Sequence, residues 1–239
     1  MNIHSADNQT QAAALAAKHI ESVLQTDRDH FMLVLSGGSA FNVIKHLSGT
    51  YPSKQLTLLL ADERFTSDVS GSNYLQLTQT DFFKRVEESP NSAAISTTPN
   101  LGDASITETA FALEKTLRYY LQIHPDTHII ALLGIGEDGH TASIFPNESK
   151  EVFDAVYTND HLYIPVSKPD DRYPERMTIT PYFISHLVDD VVIYAVGKEK
   201  CENVISELVK DNRSVHELPA AIAAGHPRSN LFTDCQLYN

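Results

Sequence analysis

The chain is short of positive charge. Only 18 lysines and arginines stand against 31 aspartates and glutamates in 239 residues, a formal net charge of −13. A protein this acidic is repelled by nucleic acid and by anionic membrane, because binding there needs clustered Lys and Arg, so neither is expected as a partner. Long apolar runs are also missing. None approaches the roughly 20 residues that span a bilayer. The segment MNIHSADNQTQAAALAAKHIESVL has no basic stretch followed by an apolar block, so no secretory leader is expected. Cysteine is scarce: Cys201 and Cys235, 34 residues apart, give neither a zinc spacing nor a disulfide framework. Cytoplasm is the expected location. Internal repeats, low-complexity tracts and long linkers are absent too, and the segment poorest in pattern is 87–106, rich in Ser, Thr, Pro and Asn, read as a loop.

What is present is an alternation of apolar blocks and amphipathic stretches. The blocks at 30–36, 56–62, 127–133, 161–166, 176–180, 189–197 and 229–234 read as strands. The first 25 residues and the stretches 39–48, 73–83, 106–122, 198–210 and 218–224 read as helices. That order predicts an α/β fold with a mostly parallel sheet covered by helices on both faces, Rossmann-like, in a single domain over 1–239. In such folds ligands bind beyond the carboxyl ends of the strands.

Three of those ends carry unusual residues. The first is LSGGSAF: Gly37 and Gly38 let backbone approach a ligand, and a helix expected from about Ser39 offers unpaired N–H groups, which suits a phosphate held by Ser36, Gly37, Gly38 and Ser39. A tight turn with Ser39 as N-cap explains the same residues. The second is LLLADERF, where Asp62, Glu63 and Arg64 follow three leucines; the run is either a solvated loop or places the planar donor fork of Arg64 on the same phosphate. Shortly after it, Ser72 and Asn73 sit at a helix start, where capping alone accounts for them. The third is LLGIGEDGHTASIFP, in which Gly134, Gly136 and Gly139 surround Asp138 and His140. A strand-to-helix turn with a surface histidine is the plain reading. A site in which Gly136 brings backbone close to a substrate and His140 works on it is the other. No G-x-G-x-x-G, P-loop lysine or G-x-S-x-G elbow occurs, which argues against a dinucleotide, a Walker-type site and a serine nucleophile.

LSGGSA, LLLADERF, SNY, LLGIGEDGHTASIFP and PERMTIT stand in the order and rough spacing of the 6-phosphogluconolactonase family, which the chain resembles over essentially its whole length, LPAAIAA near the end included. The resemblance implies a fold shared with glucosamine-6-phosphate deaminases. It implies hydrolysis of 6-phospho-D-glucono-1,5-lactone to 6-phosphogluconate, the second step of the oxidative pentose phosphate pathway, with no metal or other cofactor. Carried over by motif, Ser36, Gly37, Gly38, Ser39 and Arg64 hold the phosphate and His140 is the general base, with Asp62, Asn73 and Gly136 at the substrate. A neutral histidine suits the deprotonation of an attacking water. Asp138 would orient it or stabilise its imidazolium, and backbone N–H groups of 134–139 would meet the oxyanion. The expected partner is a sugar-phosphate lactone, the expected assembly a monomer or homodimer.

Two departures from the family pattern matter. A lysine commonly lies about five residues before the arginine of PERMT; here that position is Asp171, Lys168 is eight residues before Arg176, and Arg172 lies between. Lys168, Arg172 and Arg176 are therefore all candidates for the second phosphate cation. Ala40 stands where a threonine is usual after SGGS, removing one hydroxyl. Two other functions fit parts of the pattern. The deaminases share DGH but place a glutamate five residues after the histidine, where this chain has Phe145. A sugar-phosphate-binding regulator would keep the fold without the catalytic pair.

Overall fold

The computed structural model describes residues 1–51, 54–95, 104–210 and 214–236. Its first third contains β1 (Asn2–Ser5), α1 (Gln9–Leu24), β2 (His30–Leu35), a 3-10 turn (Gly38–Ala40), α2 (Phe41–Ile44), β3 (Gln55–Leu60) and β4 (Asp62–Arg64). Next come α3 (Asn73–Thr78), α4 (Asp81–Glu88), β5 (Ser92–Ala94), α5 (Ile106–Ile123), β6 (His128–Gly134) and α6 (Lys150–Tyr157). The remainder is β7 (Tyr163–Ser167), β8 (Glu175–Ile179), α7 (Pro181–His186), β9 (Asp190–Tyr194), α8 (Lys198–Lys200), a π-helical turn (Cys201–Ile205), α9 (Ser206–Lys210), α10 (Ala220–Ala224) and β10 (Ser229–Thr233).

Seven strands form one parallel sheet in the order β1-β10-β9-β6-β2-β3-β5. Successive side chains on a strand point to opposite faces, and because this sheet is covered on both sides its strands are apolar throughout. Met32 and Val34 on β2, Ile129, Ala131 and Leu133 on β6, and Val191 and Ile193 on β9 enter one core layer. Phe31, Leu33, Leu35, Ile130, Leu132, Val192 and Tyr194 enter the other. The second layer is closed by the alanine face of α1 with Val43 and Ile44 of α2 and Phe82, Phe83 and Val86 of α4. The first is closed by α5, α6, α7 and α10 and by the small sheet below.

The structure corrects several sequence readings. Residues 2–5 are not helical but an edge strand on β10, too short to show a period. The helix expected at 39–48 is a 3-10 turn and one turn of α2. The one expected at 73–83 divides because Thr80 caps a second helix, its hydroxyl accepting from the Phe83 N–H. The loop expected at 87–106 contains β5, and its residues 96–103 lie outside the described part. The strands read at 161–166 and 176–180 do not join the parallel sheet. With β4 they make a separate antiparallel sheet, β4-β8-β7.

The cysteine expectation is also overturned. Cys201 and Cys235 form a disulfide, Cα to Cα 5.5 Å. Their separation in sequence hides that β9 and β10 are neighbours, so the residues that follow the two strands come together. Among the described residues no helix is long and apolar enough to cross a membrane.

Candidate active site

Parallel register puts the carboxyl ends of four strands abreast: Leu35 pairs with Leu60 on one side and Leu132 on the other, and Gly134 with Tyr194. Ser36, Asp62, Ile135 and Lys200 therefore surround one cavity of about 190 Å³. Its wall is made by Ser36, Gly37, Gly38, Ser39, Asp62, Arg64, Asn73, Gly134, Ile135, Gly136, His140, Ala142, Arg176 and Lys200. Eleven of the residues singled out in the sequence are on that wall, Gly134 among them.

Three polar atoms at this cavity are buried with no partner among the described residues: Ser36 Oγ, Arg64 Nε and Asn73 Oδ1. A buried polar group without a hydrogen bond costs about 1–3 kcal/mol, so a cluster of three at one wall marks a place made for a polar guest. A larger cavity of about 380 Å³ lies between α6 and α7, lined by Phe153, Tyr157, Tyr182 and His186 among others. None of the unpartnered buried atoms lies there.

At the first strand end, the 3-10 turn begins with Gly38 at φ +62°, and the N–H groups that open such a turn have no partner within it. Gly37 is required by close approach: a Cβ there would lie 2.1 Å from Asn73 Oδ1. Asn73 in turn is set by the second strand end. Its Nδ2 donates to the Asp62 carbonyl at 3.0 Å, and its backbone N–H to Glu63 Oε1 at 2.7 Å.

Glu63 organises this corner, and the sequence reading gave it no part. Fully buried, its carboxylate accepts from the N–H groups of Arg64, Asn73 and Tyr74, all at 2.7 Å, and from Ser72 Oγ at 3.0 Å. It thus ties β4 to the start of α3. Arg64 donates Nη1 to the Gly71 carbonyl at 2.8 Å, leaving Nε at the cavity. Asp62 faces another way: its Oδ2 accepts from Ser143 Oγ at 2.7 Å, a link to the third strand end.

The turn after β6 folds back on itself. Gly136 N–H donates to the His140 carbonyl at 2.8 Å, and Gly139 N–H to the Gly136 carbonyl at 3.1 Å. Asp138 Oδ1 then meets His140 Nδ1 at 2.5 Å and accepts the His140 N–H at 3.1 Å. Gly136 permits this, since a Cβ there would lie 2.2 Å from the imidazole. With its Nδ1 given to a carboxylate, a neutral His140 keeps its lone pair on Nε2. Burial opposes the charge of Asp138, but the bonds from the His140 ring and N–H, the imidazole charge and Lys168 outweigh it and hold the carboxyl well below its ordinary range. Within the 134–139 backbone, Gly136 and Gly139 spend their N–H groups inside the turn.

The segment that follows is pinned from several sides. Ser143 N–H donates to Thr178 Oγ1 at 3.0 Å, Tyr157 OH to the Ser143 carbonyl at 3.0 Å, and Ala220 N–H to the Gly139 carbonyl at 3.0 Å. His140 is therefore carried on a rigid turn.

The three cation candidates separate. Arg176 is buried on the wall, its Nη2 2.8 Å from Asp171 Oδ2 and its Nε donating to the Tyr173 carbonyl at 3.2 Å. Lys168 is off the wall, with Nζ 3.5 Å from Asp138 Oδ2. Arg172 points outward, 75% exposed and 3.5 Å from Asp68. The wall's other cation is Lys200, half-buried at the end of α8, whose ammonium burial pushes below its ordinary pKa despite the opposing charge of Glu137. The sequence reading missed it. Its signal was position: Lys200 follows β9 as Ser39, Arg64 and His140 follow their own strands.

Comparisons with known proteins bear on the family and the fold. A family model described as glucosamine-6-phosphate isomerases/6-phosphogluconolactonase matches residues 4–232. A 6-phosphogluconolactonase of Homo sapiens is 27% identical over 222 residues, 90% of this chain and 81% of that protein. One of Thermotoga maritima is 26% identical over 220 residues, 89% of this chain and 88% of its own. Among solved structures, a 6-phosphogluconolactonase from Shewanella baltica superposes with a TM-score of 0.76 at 21% identity, covering 98% of this chain and 96% of its own, which establishes the fold.

Proposed function

Because the chain belongs to the family of glucosamine-6-phosphate isomerases and 6-phosphogluconolactonases, we propose that it is a 6-phosphogluconolactonase. It would be a hydrolase of the oxidative pentose phosphate pathway, built as one α/β domain over 1–239, that opens 6-phospho-D-glucono-1,5-lactone to 6-phospho-D-gluconate. The observation that carries the reading is the Asp138–His140 pair, whose imidazole lines a cavity that also gathers unpartnered polar atoms and cations.

In this reading the phosphate lies against the Gly38 and Ser39 N–H groups, Ser36 Oγ and Arg64 Nε, with Lys200 and Arg176 as the further cations. Held there, it fixes the lactone carbonyl carbon near His140, so that binding energy from a group remote from the chemistry orients the reacting end. His140 Nε2 takes a proton from water as its oxygen bonds to C1. The tetrahedral intermediate puts negative charge on the former carbonyl oxygen, toward the Glu137 and Asp138 N–H groups. Collapse breaks the bond from C1 to the ring oxygen, and the imidazolium returns its proton to that oxygen. The product acid then ionises. Asp138, ionised throughout, holds the imidazole in the required tautomer and balances its charge. An isomerase or deaminase would want a second acid beside the base, and the flank of His140 is taken by the ring of Phe145, centroids 5.3 Å apart.

The test follows hydrolysis of freshly generated lactone with spontaneous opening subtracted. Wild type should accelerate it, and His140→Ala should lose roughly 10²- to 10⁴-fold, the contribution of a general base. If wild type gives no acceleration, the reading fails. If both proteins are equally fast, the base is another group.

A further inference from the structure

Three candidate side chains converge on the ring of Phe145, to which the hydrolytic scheme gives no part. The Lys168 ammonium lies 4.3 Å from the ring centroid and the Arg176 guanidinium carbon 5.4 Å from it. The imidazole of His140 is tilted by 55° against it. The backbone that carries the ring is anchored, because the Phe145 N–H donates to Tyr157 OH at 3.1 Å and that hydroxyl is itself bonded to the Ser143 carbonyl.

A ring is an unusual means of gathering cations, and its consequence is specific. A π-face attracts a cation within about 6 Å without accepting its N–H groups in directed hydrogen bonds or cancelling its charge. A carboxylate would do both. Arg176 also keeps a carboxylate, Asp171, at 2.8 Å, but among the described residues the carboxylate paired with Lys168 is Asp138, at 3.5 Å, and that group is already engaged by His140 at 2.5 Å. The ammonium is therefore kept beside the catalytic pair with its donors largely free for an anionic substrate. Lys168, Asp138, His140 and Phe145 form a closed circuit of four contacts, and Arg176 touches the same ring.

On the premise that the chain is a lactonase, we propose that Phe145 is a positioning residue whose ring holds Lys168 and Arg176 in register with His140 for the bound sugar phosphate. A residue that merely filled space would be replaced well by another apolar side chain. One that acts through its π-face would not.

The experiment measures kcat and KM on fresh lactone for wild type, Phe145→Leu, Phe145→Tyr, Lys168→Met and the Phe145→Leu/Lys168→Met double variant, with thermal melting as a check on folding. Phe145→Leu should raise KM by about three- to thirty-fold, the range of a cation–π contact, with a smaller fall in kcat. Phe145→Tyr, which keeps the face, should lose several-fold less. The double variant should be little worse than the weaker single variant, because the two changes remove one contact. If Phe145→Leu does not melt cooperatively, Phe145→Met, flexible and without a π-face, takes its place under the same expectations. The inference is overturned if Leu and Tyr behave alike, or if the two single effects multiply in the double variant. A wild type that does not accelerate lactone opening would overturn the lactonase reading and the inference with it, an outcome distinct from an active wild type with an unaffected Phe145→Leu.

Discussion

Asp138 and His140 are two residues apart, and their side chains meet because the turn between them is closed by the Gly136 N–H on the His140 carbonyl. That closeness has a consequence for stability. A carboxyl whose folded pKa is depressed contributes stability above its unfolded value, 3.8 here, and loses it as the pH falls through the lowered folded value. Denaturant melts of wild type and Asp138→Asn should therefore differ at about pH 5 and converge as the pH falls below 3.8. A difference that widened on acidification would contradict the assignment. The pair could be suspected from DGH in the sequence. Its geometry could not, because the bond depends on Gly136 accepting an imidazole where any Cβ would collide.

Elements matter here through their ends. The strands β2, β3, β6 and β9 were legible as apolar blocks because both faces of the parallel sheet are buried, and the rule that ligands lie beyond their carboxyl ends pointed to the candidate site. What escaped notice was short or polar. β4 is three residues of charge, and it is a strand because it pairs with β8 and because four donors converge on Glu63. Lys200 escaped because α8 after β9 looks like any solvated helix start. In the lactonase reading its ammonium faces the phosphate, so Lys200→Met should raise KM for the lactone by roughly ten- to a hundredfold, the size of a charge-assisted hydrogen bond. Steady-state kinetics with little change in kcat would bear this out; an unchanged KM would remove Lys200 from the site.

Across the whole molecule, the largest correction concerns the cysteines. The bridge from Cys201 to Cys235 spans a sequence separation of 34, and chain-entropy arguments assign such a closure about 3–4 kcal/mol. Reduction, or Cys201→Ser with Cys235→Ser, should lower Tm by about 5–15 °C for a chain of this length, read by melting with and without a phosphine reductant. The bridge also bears on location, because disulfides persist in oxidising compartments and thiols in the cytoplasm. If the expected cytoplasmic location holds, both cysteines should be alkylated when cells are lysed directly into a thiol reagent.

The sequence by itself determined the α/β class, the order of the long strands and helices, and three strand-end motifs with their glycines. Burial and backbone conformation write these into local residue types: both-sided burial makes a strand apolar throughout, and close approach admits glycine alone. The tertiary structure decided which charges share a cavity. It turned Arg172 outward and Arg176 inward, brought in Lys200, placed Phe145 under two cations, and joined two cysteines from neighbouring strand ends. Those outcomes depend on side chains distant in sequence that meet only once the strands are in register, and no local pattern encodes a meeting of that kind.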